Sequence, residues 1–434
     1  MKKIITQLLA GVLTLCLISG CSGNKKASST KKTDLLIGLP GGDGVTDMRV
    51  VNNFVEARKD VYNIETDESA WGDFVQKIKL QMAAKNDVVP VFFVDSANAM
   101  AFGENGALAD LSKSVENLDK SLYTKALCAV TNKDGKLWGV PHAVNSIALL
   151  YNKDIFDEKD VSYPTDEWTF QDMLDAAEKL TFDRDGDGKT DVSGIYYLNN
   201  ITQGWYPFMQ AHGVKPLKDD YRNSNLDDPK VQEALRSWAS SIQKGCQPSD
   251  AELAAMGGIN VAFAEGKVAM YIAQFSQVKQ INTFNPDLNY DAAIMPIGWN
   301  GERTCIYVPN VWCIYNGVDE VTYDAAWDWI SYYLGEEAQL QQAETIISGF
   351  PVMQKALDFV GNNGVKPEGK DAFYRGINDH GTTIMENPCS TDVNNLINAM
   401  CNEIRAGKTT VEEGITKTHT ELQETLDFFY EQAE

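Results

Sequence analysis

The densest group of metal-binding side chains in this 434-residue sequence lies between positions 183 and 191, which read Asp-Arg-Asp-Gly-Asp-Gly-Lys-Thr-Asp. Hard cations such as Ca2+ prefer several oxygen ligands at short range, and carboxylates at alternate positions can wrap a backbone around one ion. The glycine at the sixth position permits the tight turn that such wrapping needs. The predicted ligands are the carboxylates of Asp183, Asp185, Asp187 and Asp191 and the main-chain carbonyl of Lys189.

This aspartate loop is not an EF-hand. An EF-hand needs a glutamate at its twelfth position, and the residue there is Gly194. Four carboxylates within nine residues repel one another, which favours a bound cation over an empty loop where calcium is plentiful. The alternative is a solvated acidic turn. We therefore predict a structural Ca2+ that stabilises the fold and does not contact a ligand.

A second reactive group is the thiol of Cys21. Lys2 and Lys3 precede a short apolar run from position 4 to position 18, and Ser-Gly-Cys follows it. The pattern is typical of a secretory signal peptide over residues 1–20, and Leu-Ile-Ser-Gly-Cys fits the bacterial lipoprotein signal. Cys21 is thus the expected lipidation site, and residues 21–33 are the expected flexible tether. The alternative is an ordinary cleaved signal followed by a chance cysteine.

Composition limits the classes of partner. The formal charge is −23, and removing residues 1–20 takes away two lysines and leaves −25. Such a chain is repelled by nucleic acid and by anionic lipid. Six cysteines remain beyond Cys21, widely spaced and without a CxxC pair, which favours small buried hydrophobic residues over a zinc site. No HExxH, G-x-S-x-G or glycine-rich phosphate loop is present, so the sequence predicts no enzyme.

Hydrophobic periodicity predicts an α/β fold. Apolar runs at 35–39, 88–94, 137–141, 147–151, 268–272, 290–295 and 311–315 predict strands, and patterns of helical spacing alternate with them. The order strand, helix, strand, helix predicts a parallel sheet in the first lobe. The pairs Thr169 with Asp172 and Thr410 with Glu413 predict capping boxes at the starts of two helices.

Several segments together resemble the extracellular solute-binding proteins of carbohydrate ABC importers. Residues 263–270 match F-x-x-G-K-x-A-M, residues 139–156 match G-x-P…Y-N-K-D-x-F, and residues 168–172 resemble T-W-x-E. Residues 326–339 resemble A-W-x-F…S-x-E-A-Q, and residues 349–351 fit the G-x-P that follows. The matches occur in the order of the family and cover nearly the whole mature chain. The segment order is also similar, at a distance, to that of maltose-binding protein.

The resemblance implies a two-lobe periplasmic-binding-protein-like fold of the class II type. Each lobe is expected to be a mostly parallel sheet flanked by helices, and hinge closure would trap the ligand between the lobes. The expected N-terminal lobe comprises residues 34–143 and 312–348, and the expected C-terminal lobe comprises residues 146–308 and 351–434. The expected chain crossings lie near 143–146, 308–312 and 349–352.

Sugars present apolar faces and a rim of hydroxyl groups, so their sites combine aromatic rings with amides and carboxylates. Such residues are expected in loops at strand ends and at the crossings, because open sheets bind ligands at the carboxyl ends of strands. Positions where the family places a stacking aromatic were included. The candidates are Trp71, Ser96, Asn98, His142, Asn145, Trp205, Tyr206, Phe275 and Trp312.

The prediction for the whole chain is a lipid-anchored, monomeric substrate-binding component of an ABC importer. It would capture a sugar or oligosaccharide at the extracellular face of the cytoplasmic membrane, typical of a Gram-positive cell, and deliver it to the permease. The sequence leaves two alternatives open, a secreted lipoprotein glycosidase and a calcium-dependent carbohydrate-binding surface adhesin.

Overall fold

A computed structural model describes residues 32–41, 46–124, 134–345, 349–384 and 389–433. The predictions for the signal peptide, for Cys21 and for Cys128 lie outside the described residues. Within the described ranges, no helix combines the length and the apolar character needed to cross a membrane.

The strands are β1 (Thr33–Pro40), β2 (Tyr62–Ser69), β3 (Val91–Asp95), β4 (Val140–Asn152), β5 (Ser193–Tyr197), β6 (Val268–Gln274), β7 (Tyr290–Ala293), β8 (Cys305–Ile314), β9 (Phe350–Pro351) and β10 (Gly381–Thr383). The helices of the first half are α1 (Met48–Arg58), α2 (Trp71–Ala84), α3 (Ser96–Glu104), α4 (Ser112–Val115), α5 (Lys153–Glu158), α6 (Phe170–Lys179), α7 (Trp205–Ala211) and α8 (Pro229–Gln243). Those of the second half are α9 (Asp250–Ala255), α10 (Ile259–Ala264), α11 (Phe275–Phe284), α12 (Glu320–Tyr333), α13 (Glu336–Thr345), α14 (Gln354–Asn362), α15 (Asp371–His380), α16 (Ser390–Arg405) and α17 (Val411–Ala433).

The strands form two mixed sheets that share strand β4. The order is β2-β1-β3-β8-β4-β6-β5, with β10 beside β8 and with β7 and β9 beside β4. The pairs β1–β2, β1–β3, β5–β6 and β8–β10 are parallel, and the pairs that involve β4 are antiparallel. The α/β class is confirmed, and the sheets are mixed because the chain crosses between lobes on antiparallel strands.

Strand β4 corrects one detail of the prediction. The sequence predicted two strands separated by a polar bend, whereas residues 140–152 form one strand with an irregularity between Pro141 and Ala143. Its first part pairs with β8 as far as Ser146, and from Ile147 onwards it pairs with β6. Polar residues are tolerated there because the strand is passing from one sheet to the other. The predicted lobe boundaries themselves stay a prediction.

The central strands of both sheets are buried on both faces. In β3, Val91 and Phe93 pack into one hydrophobic cluster and Phe92 and Val94 into another, as the two-residue period of a strand requires. In β4, odd-numbered residues from 147 to 151 and the even-numbered residues between them divide in the same way. Burial on both faces explains why these strands are continuous apolar runs in the sequence.

Both predicted capping boxes are confirmed. The Thr169 side chain accepts the backbone N–H of Asp172 at the start of α6, and the Asp172 carboxylate accepts the Thr169 N–H at 2.9 Å. Thr410 and Glu413 make the same pair of bonds before α17. These bonds satisfy backbone donors that a helix leaves unpaired at its first turn.

Candidate functional site

The carboxyl ends of strands from both lobes meet at the crossing strands. Asp95, the last residue of β3, pairs with Asn310 of β8, which in turn pairs with Ala143 of β4. On the other side, Ile147 of β4 pairs with Gln274, the last residue of β6. Ala143 and Ile147 are four residue steps apart, so β3 and β6 end about 13 Å apart along β4 at about 3.3 Å per residue. Two strand ends that face each other at this distance define a cleft.

On the N-terminal side, helix α3 begins directly after β3. The Asp95 carboxylate accepts the Asn98 backbone N–H at 2.9 Å and its side-chain amide at 2.7 Å. The Ser96 hydroxyl oxygen and the Asn98 amide oxygen are buried, and neither has a hydrogen-bond partner within the described ranges. Two sequence-predicted residues therefore offer unused polar atoms at the end of β3.

On the side of the C-terminal lobe, Asn145 of the crossing strand β4 is hydrogen-bonded to helix α11. Its amide donates to the Ser276 hydroxyl at 2.9 Å, and its oxygen accepts the Ser276 backbone N–H at 3.2 Å. Phe275 precedes this serine and stacks on Phe350 with ring centroids 3.6 Å apart and planes 14° apart. Phe275 is fully buried, so in this arrangement its ring covers another phenylalanine, and its predicted contact with a ligand stays a prediction.

Trp205 and Tyr206 open helix α7 and are both buried. The Trp205 indole N–H donates to the Asn398 side-chain oxygen of α16 at 2.8 Å, and the Asn199 amide donates to the Asn398 backbone carbonyl at 3.2 Å. The side-chain oxygens of Asn199 and Asn394 are buried with no partner in the described part of the chain. An asparagine cluster thus fixes the orientation of Trp205.

Sequence reasoning missed this part of α16. The cluster comprises Asn199, Asn394, Asn398 and Asn402. The last three recur every four residues, which places them on one face of the helix, next to the apolar stripe from which the helix was predicted. Their four-residue spacing is visible in the sequence, but asparagines at helical spacing do not by themselves indicate a sugar site as aromatic side chains do.

Trp71, His142 and Trp312 pack around Phe93 of β3. Trp71 is the first residue of α2 and contacts Phe93, with ring centroids 5.7 Å apart. His142 and Trp312 have no exposed surface and pack together in the core of the N-terminal lobe, with ring centroids 5.5 Å apart. The alternation of strand side chains turns both inward at the crossing. The ring contacts described for these three residues are with other side chains of the protein, and their role as ligand contacts stays a prediction.

The lobes touch at the rim of this cleft. The Lys79 ammonium of α2 donates to the Thr391 hydroxyl of α16 at 3.2 Å. Helix α3 also packs against α16, and Ala97 joins the hydrophobic cluster of the C-terminal lobe. The described arrangement is therefore one in which the lobes are in contact.

The aspartate loop lies outside the cleft, between α6 and β5. Backbone hydrogen bonds of 3.0 and 3.1 Å between Phe182 and Val192 close its base. Carboxylate oxygens of Asp183, Asp185 and Asp187 lie within 4.8 Å of one another, and all three side chains are exposed. Such a convergence of hard oxygen donors suits Ca2+ chemistry.

Backbone amides shape the same loop. The Asp183 carboxylate accepts N–H bonds from Gly188 at 2.7 Å and from Gly186 at 2.6 Å, and these bonds lower its pKa. One oxygen of Asp191 accepts the backbone N–H of Arg184 at 2.7 Å. Asp191, at the ninth position of the loop, is therefore bonded back to the second position. Asp191 is not part of the close carboxylate group, and its role as a metal ligand stays a prediction.

The described cysteines behave as buried hydrophobic residues. Cys246, Cys305, Cys313, Cys389 and Cys401 are buried and not in disulfides. Burial raises the pKa of the Cys305 thiol to about 12 and that of Cys389 to about 11, so these thiols stay protonated and unreactive at neutral pH.

Comparison with known proteins gives a consistent result. The family model for bacterial extracellular solute-binding proteins matches residues 49–370. A binding protein of Brucella abortus is 25% identical over 238 residues, 54% of this chain and 55% of the relative. The galactooligosaccharide-binding protein of Bacillus subtilis is 30% identical over 196 residues, 44% of this chain and 43% of the relative. The chain thus matches about half the length of these curated relatives.

Solved structures show the same fold over a longer range. An ABC substrate-binding protein of Listeria monocytogenes in complex with cycloalternan superposes with a TM-score of 0.79 at 20% identity, covering 91% of this chain and 99% of that one. Maltose-bound MalE3 of T. maritima superposes with a TM-score of 0.72 at 16% identity, covering 92% and 100%. These likenesses confirm the two-lobe fold.

Proposed function

Because the chain belongs to the bacterial extracellular solute-binding proteins, we propose that it is the substrate-binding component of an ABC importer for a sugar or small oligosaccharide. It binds the saccharide reversibly between its lobes and releases it unchanged to a membrane permease. It carries out no chemistry on the ligand.

The convergence of the ends of β3 and β6 on the crossing strands is the observation that carries this proposal. Buried polar oxygens at Ser96 and Asn98 lie on one side of the cleft, and those of Asn199 and Asn394 lie on helices and loops of the other lobe. Partnerless amide and hydroxyl oxygens are costly to bury, and the hydroxyl groups of a saccharide would satisfy them. A ligand that hydrogen-bonds to both lobes favours the closed state by its differential affinity.

The relatives support a carbohydrate as the ligand class. Those with stated ligands bind galactooligosaccharides, arabinooligosaccharides or maltooligosaccharides by name, and several structures of the same fold contain saccharides. The unpartnered oxygens of Ser96, Asn98, Asn199 and Asn394 belong to uncharged hydroxyl and amide groups, which suit neutral polyols. They do not distinguish one sugar from another.

A thermal-shift screen tests the proposal. Maltose, maltotriose, mannobiose, galactobiose and arabinobiose would each be added at millimolar concentration, and at least one should raise the unfolding temperature, since binding to the native state alone stabilises it. The saccharide should be recovered intact after prolonged incubation. No shift with any carbohydrate would refute the ligand class, and the appearance of shorter products would indicate a glycosidase instead.

We also propose that the aspartate loop binds one structural Ca2+. Asp183, Asp185 and Asp187 would supply carboxylate oxygens, with Lys189 and Asp191 completing the set. Calcium would hold together a loop whose carboxylates otherwise repel one another. The convergence of three carboxylates is the supporting observation.

Chelation separates this structural role from ligand binding. EGTA should lower the unfolding temperature of the native chain, and the variant Asp185→Asn should lose most of that response. Asp227→Asn, at an exposed aspartate outside the loop, is the matched control and should keep it. An unfolding temperature insensitive to EGTA would refute calcium binding, while loss of saccharide affinity without loss of stability would refute the structural role and favour the adhesin.

The location of the protein is part of the same proposal. Lipidation at Cys21 would anchor it at the extracellular face of the cytoplasmic membrane, with the tether keeping it beside its permease. Two acyl chains suffice for stable attachment. The monomeric state, the Gram-positive host and the permease partner remain proposals with it.

A further inference from the structure

The fully buried Gln339 lies in α13, within the E-A-Q segment that the sequence comparison singled out. Its amide nitrogen donates to the backbone carbonyls of His142 and Tyr333, both at 3.2 Å. Its side-chain oxygen accepts the backbone N–H groups of Val352 at 3.0 Å and Met353 at 3.2 Å. All four hydrogen bonds of one side-chain amide go to backbone.

The partners belong to two different crossings. His142 lies in β4, five residues before this strand changes sheets at Ile147. Val352 and Met353 follow β9, immediately before the chain enters α14 in the C-terminal lobe. The side chain of Gln339 therefore connects the first and the third crossing at their N-terminal-lobe ends.

Two backbone features strengthen this junction. Strand β9 pairs with β4 at Ala143 and Val144. Gly349 has φ +117°, and a Cβ at this position would lie 2.6 Å from the Val144 carbonyl oxygen. Only glycine allows that approach and that conformation, so the two crossings run in backbone contact beside the Gln339 bonds.

We propose that Gln339 is a positioning residue of the hinge. It holds two crossings in fixed register on the N-terminal lobe, so that bending is confined to the few residues beyond the tie and the lobes close at one angle. The inference rests on the proposed function, since it concerns the closure that traps the saccharide. A residue that only stabilised the core would affect unfolding and leave the lobe angle unchanged.

Gln342 offers a matched control. It is one turn away on the same helix and is also buried, but among the described residues its amide nitrogen donates to the backbone carbonyls of Tyr333, at the end of α12, and of Ala338, in α13 itself, and to neither crossing. Gln339→Met and Gln342→Met each remove one buried amide and keep a side chain of similar length. Both should lower the unfolding temperature.

The distance between the lobes distinguishes the two variants without any ligand. Spin labels at Leu80→Cys and Phe428→Cys would report it by double electron–electron resonance, because these side chains are exposed on α2 and α17. Cys21 and Cys128 would be replaced by serine, and the described cysteines are buried. Gln339→Met should broaden the distance distribution, and Gln342→Met should reproduce that of the native chain.

A second measurement connects the angle to binding. With the saccharide that gives the largest thermal shift in the screen above, Gln339→Met should bind about five- to tenfold more weakly and Gln342→Met within twofold of native. If Gln339→Met does not fold, Gln339→Glu, which keeps the acceptor and loses donors, takes its place. Distance distributions that superpose on the native one would overturn the hinge role. A native chain that binds no saccharide would refute the proposed function and leave the distance test valid.

Discussion

The buried imidazole of His142 should make the stability of the protein fall in mild acid. The ring has no exposed surface and packs against Phe93, Trp312 and Tyr333. Neither ring nitrogen has a partner at hydrogen-bond geometry among the described residues. Burial lowers the pKa of His142 from 6.5 to about 3 and outweighs the nearby amide of Gln342, which favours the protonated form.

The direction of the effect follows from the two pKa values. Because the folded-state pKa lies below that of the unfolded chain, the unfolded chain takes up a proton first as the pH falls through 6.5. The free energy of unfolding then decreases by about 1.4 kcal/mol per pH unit until the folded-state pKa is reached. Because the unfolded chain is already half protonated at pH 6.5, this one ring should cost about 2 kcal/mol between pH 6.5 and pH 4.5, and above pH 7.5 it should cost almost nothing.

Urea unfolding of the native chain and of His142→Phe measures this contribution. Phenylalanine fills a similar shape and cannot be protonated, so the variant should lose about 2 kcal/mol less than the native chain between pH 6.5 and pH 4.5. His380→Gln, which removes an exposed histidine, should follow the native chain. Parallel pH profiles for the native chain and His142→Phe would refute the reasoning, because His142 would then titrate alike in both states.

Three further predictions concern the cleft, the core and the anchor. Asn398→Ala leaves the Trp205 indole N–H without its acceptor and should weaken saccharide binding by about tenfold in calorimetry, whereas the exposed Asn395→Ala should bind like the native chain. Tyr333→Phe removes a buried hydroxyl that has no partner in the described structure. The free energy of unfolding of this variant, measured in urea, should stay within about 1 kcal/mol of native or rise. A loss of about 3 kcal/mol would mean that a bound water pairs with the Tyr333 hydroxyl. Cys21→Ser should release a protein into the medium that still binds saccharide while cellular uptake of that sugar falls, and retention on the cell would contradict the lipid anchor.

Much of the fold follows from local patterns because the central strands of both sheets are buried on both faces. The continuous apolar run around β3 could only be a central strand, and the two capping boxes marked helix starts that the structure confirms. The single strand β4 was missed since its middle is polar. That polarity arises from a change of partners between two sheets, and a single segment of sequence does not show the partners.

The candidate site was harder to predict for a related reason. His142 and Trp312 lie at the predicted crossings, but strand alternation turns their rings into the N-terminal core, and the sequence does not show which face of a crossing strand meets the cleft. Ser96 and Asn98 were found because they follow a strand end directly. The asparagines of α16 come into the site through the packing of a late helix against the β5–α7 connection, over a separation of about two hundred residues that local spacing cannot reveal.

The position of β8 has a consequence for the order of folding. This strand lies between β3 and β4 in space, yet its residues follow β4 by more than 150 positions in the chain. Strands β1, β2 and β3 cannot be connected to β4 in one sheet until residues 305–314 have been synthesised, because β8 lies between them. Contacts between such distant segments slow folding. The sheet of the N-terminal lobe should therefore stay incomplete during synthesis and form late. The chain then remains unfolded for longer, which suits a polypeptide that must cross a membrane before it folds.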